Sequence, residues 1–121
     1  MYLGISSSLQ HGSPEEWAAK HKALGLECVN FPVTCDDGED TFMAYKQAAD
    51  EAGLTIAEVG VWRNTLAADP DERQHWIDYA VRQLRMATAE NPCMPMIIEH
   101  LTTDEEYVAS VQNIRKRLAD H

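Results

Sequence analysis

Short apolar runs alternate with stretches of helical period along the whole chain, and this alternation constrains the fold more than any other feature. The runs are residues 2–7, 26–31, 54–61 and 96–101, rich in Ile, Val and Leu and of strand length. Each leads into a loop and then into a segment whose apolar residues recur with helical spacing.

The helix starts have clear local chemistry. Ser13-Pro14-Glu15-Glu16 offers a capping serine, a proline at the first helical position and a glutamate three residues after the cap. Asp69-Pro70-Asp71-Glu72 repeats that pattern, and Thr103-Asp104-Glu105-Glu106 is a capping box. Gly53 ends the second helix, over residues 40–52, as a left-handed terminator. Phe42, Tyr45, Ala49 and Ala52 share one face of that helix, and Trp76, Ala80, Leu84 and Ala87 share one face of the third. On the fourth, Tyr107, Val111, Ile114 and Leu118 do the same. One-sided helices after each strand predict an α/β fold of four parallel strand–helix units with right-handed crossovers.

A length of 121 residues allows one domain, 1–121, with an irregular joint at residues 90–95. Pro92 and Pro95 bracket that joint, and Pro95 cannot donate to a sheet ladder, so the last strand starts at or after it. Ten basic residues against 20 acidic ones give a net charge of −10. That balance excludes a nucleic-acid module, because phosphate contacts need clustered Lys and Arg. No apolar run approaches the ~20 residues of a membrane span. The first residues lack the basic start and apolar core of a secretion signal. Three cysteines, at 28, 35 and 93, contain no CxxC pair and read as reduced thiols, which predicts a cytoplasmic protein.

Three stretches carry a resemblance: Leu3-Gly4-Ile5-Ser6-Ser7, Gly25-Leu26-Glu27-Cys28-Val29-Asn30-Phe31-Pro32, and Leu54-Thr55-Ile56-Ala57-Glu58-Val59-Gly60-Val61-Trp62-Arg63-Asn64. In that order they resemble the first three strand regions of the sugar phosphate isomerase/epimerase family, with its xylose-isomerase-like TIM barrel. Pro95-Met96-Ile97-Ile98-Glu99-His100-Leu101 is similar to that family's last strand. A TIM barrel takes eight strand–helix units and typically ~250 residues. The resemblance therefore implies half of a (β/α)8 barrel, with the middle of the family pattern missing at the joint.

In members of that family a divalent metal polarises a sugar carbonyl while a glutamate moves the proton on the neighbouring carbon. The resemblance carries over one ligand position, Glu99, as metal ligand and catalytic carboxylate, with Mn²⁺ or Mg²⁺ as the implied cofactor. His11 lies in the loop after the first run, and Trp62 and Asn64 follow the third. With Asn30 they form the expected substrate pocket, an aromatic wall beside amide hydrogen-bonders. Glu58 and Cys28 read as structural, His21 as a packed helix histidine, and the acidic run 36–40 as a solvated loop leading into a helix.

A half-barrel leaves an apolar inner face and two strand edges open, which predicts association, with a homodimer or other oligomer completing the sheet. The expected function is isomerisation or epimerisation of a sugar or sugar phosphate in such an assembly, the isolated chain being inactive. The alternative is a catalytically inactive shortened relative serving as an interaction or structural module.

Overall fold

The structure is a computed structural model that describes residues 1–6, 8–90 and 102–119. Among these, the elements in order are α1 (Pro14–Ala23), β1 (Cys28–Asn30), α2 (Glu39–Ala52), β2 (Thr55–Glu58), α3 (Pro70–Glu90) and α4 (Asp104–Ala119). They form two compact units, Met1–Gly60 and Val61–His121.

The first unit is a β-α-β crossover with α1 added. β1 and β2 pair in parallel, Cys28 opposite Thr55 and Val29 opposite Ile56, with an irregularity before Asn30 pairs with Glu58. Two strands alone are marginal in water, so the unit depends on the helices that cover them. α1 and α2 pack on each other, and Trp17, with no exposed surface, is the centre of their contact. Its ring lies 6.4 Å from Phe31 and 5.5 Å from Tyr45, and Phe31 meets Phe42 at 5.0 Å. These edge-to-face pairs join the end of β1 to both helices.

Caps fix where the helices start and stop. Ser13 Oγ accepts the amide of Glu16, with Pro14 opening α1. Gly53, at φ 64°, closes α2 in the left-handed region and returns its amide to Ala49 and Asp50, a conformation costly for any residue with a Cβ. Its neighbour Leu54 then enters β2 as a buried anchor.

The second unit is built from α3 and α4, which pack together. Asp69 Oδ1 accepts the amides of Asp71 and Glu72 at the start of α3. At the start of α4 the capping box is reciprocal: Thr103 Oγ1 accepts the Glu106 amide, and Glu106 Oε2 accepts those of Thr102 and Thr103. Ile77, Ala80, Val81 and Ala87 of α3 and Ile114 of α4 are buried. Arg63 stacks over Trp76 and Tyr79, at 5.1 and 5.6 Å from their ring centres.

This architecture corrects the expected half-barrel. Instead of four parallel strand–helix units, the described residues hold four helices and two short parallel strands. The expected first strand does run beside β1: Leu3 O accepts the amides of Glu27 and Cys28, and Asn30 Nδ2 donates to Ser6 O. Its described residues, 2–6, form no ladder, because Gly4 and Ser6 have little strand preference, and Tyr2 and Leu3 stay exposed. β2 is the third expected strand, shortened to four residues, and Thr55 and Ala57 are exposed on it. A barrel strand must be buried on both faces. The fourth expected strand and the joint at 90–95 fall on or reach into residues outside the described ones. The expected homodimer would close the open inner face of a half-barrel, and the described residues do not form one. Among the described residues no helix is long and apolar enough to cross a membrane.

Candidate functional site

In open α/β sheets, ligands bind beyond the carboxyl ends of the strands. The first unit has a cleft of about 570 Å³ there, walled by Pro32 and Val33 after β1, by the loop before α1, and by the start of α2. Its volume falls within the ~300–1,000 Å³ of small-molecule sites. His11, Asp37, Thr41 and Tyr45 supply its chemistry, with Ser8 and Gln10 at the wall.

The loop that carries His11 is tied down by α1. Glu16 Oε2 accepts the Gly12 amide at 2.7 Å, and Lys20 Nζ donates both to Gln10 O, at 2.7 Å, and to Glu16 Oε1, at 2.8 Å. The Lys20 hydrogen bond, then the Gly12 amide, holds the Glu16 carboxyl below the usual glutamate range. The capping residues of α1 therefore also position the loop that carries His11.

His11 has both ring nitrogens engaged. Nδ1 faces the carbonyl of Leu9, and Nε2 lies 2.7 Å from the Tyr45 hydroxyl. A carbonyl only accepts, so Nδ1 carries the proton in the neutral ring, and Tyr45 donates its hydroxyl proton to Nε2. Burial, followed by the charges of Asp37 and Glu15, pushes the Tyr45 phenol above its ordinary value. The pair is thus a phenol hydrogen-bonded to a base.

Asp37 is held by the turn that leads into α2. Its Oδ2 accepts the Thr34 amide at 2.7 Å and the Thr34 hydroxyl at 2.8 Å. These two donors set the carboxylate on the cleft wall.

The residues expected from sequence separate. His11 lies in the cleft. Asn30 instead ties the N-terminal segment to β1 through Ser6. Trp62 and Asn64 belong to the second unit, where Trp62 is exposed and Asn64 Oδ1 accepts the amide of Leu66. Glu99 lies outside the described residues. His21 is packed as expected, with Nδ1 on the carbonyl of Trp17. Tyr45 and Asp37 were legible as an apolar-stripe residue and a loop aspartate, and no motif marks them as partners of His11. Tyr45 is the one hydroxyl on that stripe, the signal that could have singled it out. Among the described residues no three His, Cys, Asp or Glu side chains gather to hold a metal ion, and Glu99, the ligand implied for Mn²⁺ or Mg²⁺, lies outside them.

Comparison with family models, with curated proteins and with solved structures finds no match to this chain.

Proposed function

We propose that the first unit is a sugar-binding module of isomerase or epimerase type, in which the cleft takes a small sugar and the His11–Tyr45 pair moves a proton at one of its oxygens. The 2.7 Å contact between His11 Nε2 and the Tyr45 hydroxyl on the wall of the cleft carries this reading. A sugar presents hydroxyls that both donate and accept, and the wall offers groups of both kinds in Ser8, Gln10, Thr41 and Asp37. The Tyr45 ring and Val33 supply apolar surface beside them.

The chemistry follows from the tautomer. Isomerisation or epimerisation moves a proton on the carbon beside a carbonyl and stabilises the charge that develops on oxygen. As a sugar hydroxyl gives its proton to Tyr45 Oη, the phenol proton passes to His11 Nε2, and the reverse transfer protonates an oxyanion. A phenol kept above its ordinary pKa by burial is suited to that relay, because it does not ionise on its own. The carbon-bound proton is a task for a carboxylate, and Glu99 is the residue the resemblance assigns to it. The three cysteines without a CxxC spacing support a cytoplasmic setting.

The test is solvent deuterium incorporation at the carbon beside the carbonyl, for a panel of ketoses. An isolated half-barrel would be inactive, but the cleft carries its own proton relay, so incorporation above the buffer rate is expected, falling by about 10²-fold or more in Tyr45→Phe and His11→Gln, the usual weight of general acid–base catalysis. Incorporation that survives both substitutions would remove the pair from the reaction.

A further inference from the structure

We infer that the cleft selects an uncharged polyol over its phosphate ester and that Asp37 decides between them, an inference that rests on the reading of the cleft as a sugar site. The charge on the wall is one-sided. Asp37 is a carboxylate, and no Lys or Arg is among the described residues that line the cleft.

The cation and the ring nearest to hand are already engaged. Lys20 spends its ammonium on Gln10 O and Glu16 Oε1. His11 uses one ring nitrogen on Leu9 O and the other on Tyr45, so its ring offers no donor to a phosphate. A helix N-terminus attracts anions, and α2 starts beside the cleft. Its first turn, however, carries Glu39 and Asp40, which meet that positive end with charge of the opposite sign. The whole chain adds a field of the same sign through its net charge of −10.

For a neutral sugar the same wall is favourable. Asp37 Oδ2 is fixed by two donors from Thr34, so the carboxylate is held in place before a ligand arrives. A positioned carboxylate accepts hydrogen bonds from sugar hydroxyls, and bonds to a charged acceptor are the stronger kind. A phosphate in the same place would meet like charge with no cation to offset it.

Calorimetric titration of the full chain with D-fructose and with its terminal phosphate ester separates the two cases. The neutral sugar is expected to bind about tenfold or more tightly than the ester at low salt. Asp37→Asn keeps an oxygen for the Thr34 donors and should bring the two affinities close together. Thr41→Lys, a cation placed on the exposed first turn of α2, should reverse the preference. An ester that binds wild type as tightly as the sugar, or a ratio unchanged in both variants, would overturn the inference and leave the sugar site standing. Failure of both compounds to bind would overturn the sugar reading itself, and the inference with it.

Discussion

The Leu9 carbonyl, facing Nδ1 of His11, determines that the Tyr45 hydroxyl donates to Nε2 on the far side of the ring, 2.7 Å away. Loop, ring and helix are thereby linked in one chain of hydrogen bonds, from the entry of α1 to the face of α2. The consequences can be separated experimentally.

Tyr45→Phe removes the hydroxyl and leaves Nε2 of the half-buried His11 without this donor. The ring still packs against Trp17 and Phe31, so the cost should be small, about 1 kcal/mol, the typical net worth of one hydrogen bond. Urea unfolding should show a lower midpoint with an unchanged slope. A loss several times larger would mean that the hydroxyl holds the unit together rather than serving the cleft.

Trp17→Ala should be far more damaging. Trp17 touches His21, Phe31 and Tyr45 and has no exposed surface, and truncating such a residue costs about 3–5 kcal/mol. Loss of cooperative unfolding of the first unit, followed by amide exchange in residues 1–60, is the expected result. Protection unchanged in that unit would contradict the packing described.

Gly4→Ala tests whether the N-terminal segment is seated on β1. A Cβ there would lie 2.6 Å from Cys28 Sγ and 2.7 Å from the Cys28 carbonyl oxygen, and the backbone oxygen cannot swing aside. The substitution should cost about 1–3 kcal/mol as overpacking and release the amides of Glu27 and Cys28 to exchange. Silence at those two amides would show that the segment does not sit against β1.

Glu16 gives a pH signature. Its carboxyl is held below the ordinary glutamate value by Lys20 and by the Gly12 amide. A depressed folded pKa means that its contribution is fully present above the ordinary glutamate value and is lost as pH falls through the folded one. The Gly12 amide resonance should therefore move on acidification below the usual glutamate range, as the His11 loop loosens. In Glu16→Gln that transition should be missing.

The helices were legible because their signals are local. Ser13, Asp69, Thr103 and Gly53 each cap within a few residues, and each does so in the structure. The apolar runs 26–31 and 54–61 exceed the strands they form, because an apolar run does not say how far a partner lies beside it. Residues 2–6 reach β1 yet form no ladder, and β2 stops at Glu58. The candidate site was half visible. His11 stood out as a loop histidine, but its partner is 34 residues away on a helix whose stripe marks it as core. Tyr45 is both, ring inward and hydroxyl at the cleft, and a stripe records only the first. Asn30, Trp62 and Asn64 stand out by residue type alone: Asn30 donates across to Ser6 O, Asn64 accepts the nearby Leu66 amide, and the Trp62 ring is exposed.

Amide chemical-shift mapping of the chain during titration with D-fructose tests the central claim most directly. Saturable shifts clustered on His11, Asp37, Thr41 and Tyr45, with Trp62 and Asn64 unmoved, are the result that a sugar site in this cleft predicts. Shifts that do not saturate, or that gather on Trp62 and Asn64 while His11 and Tyr45 stay still, would contradict it.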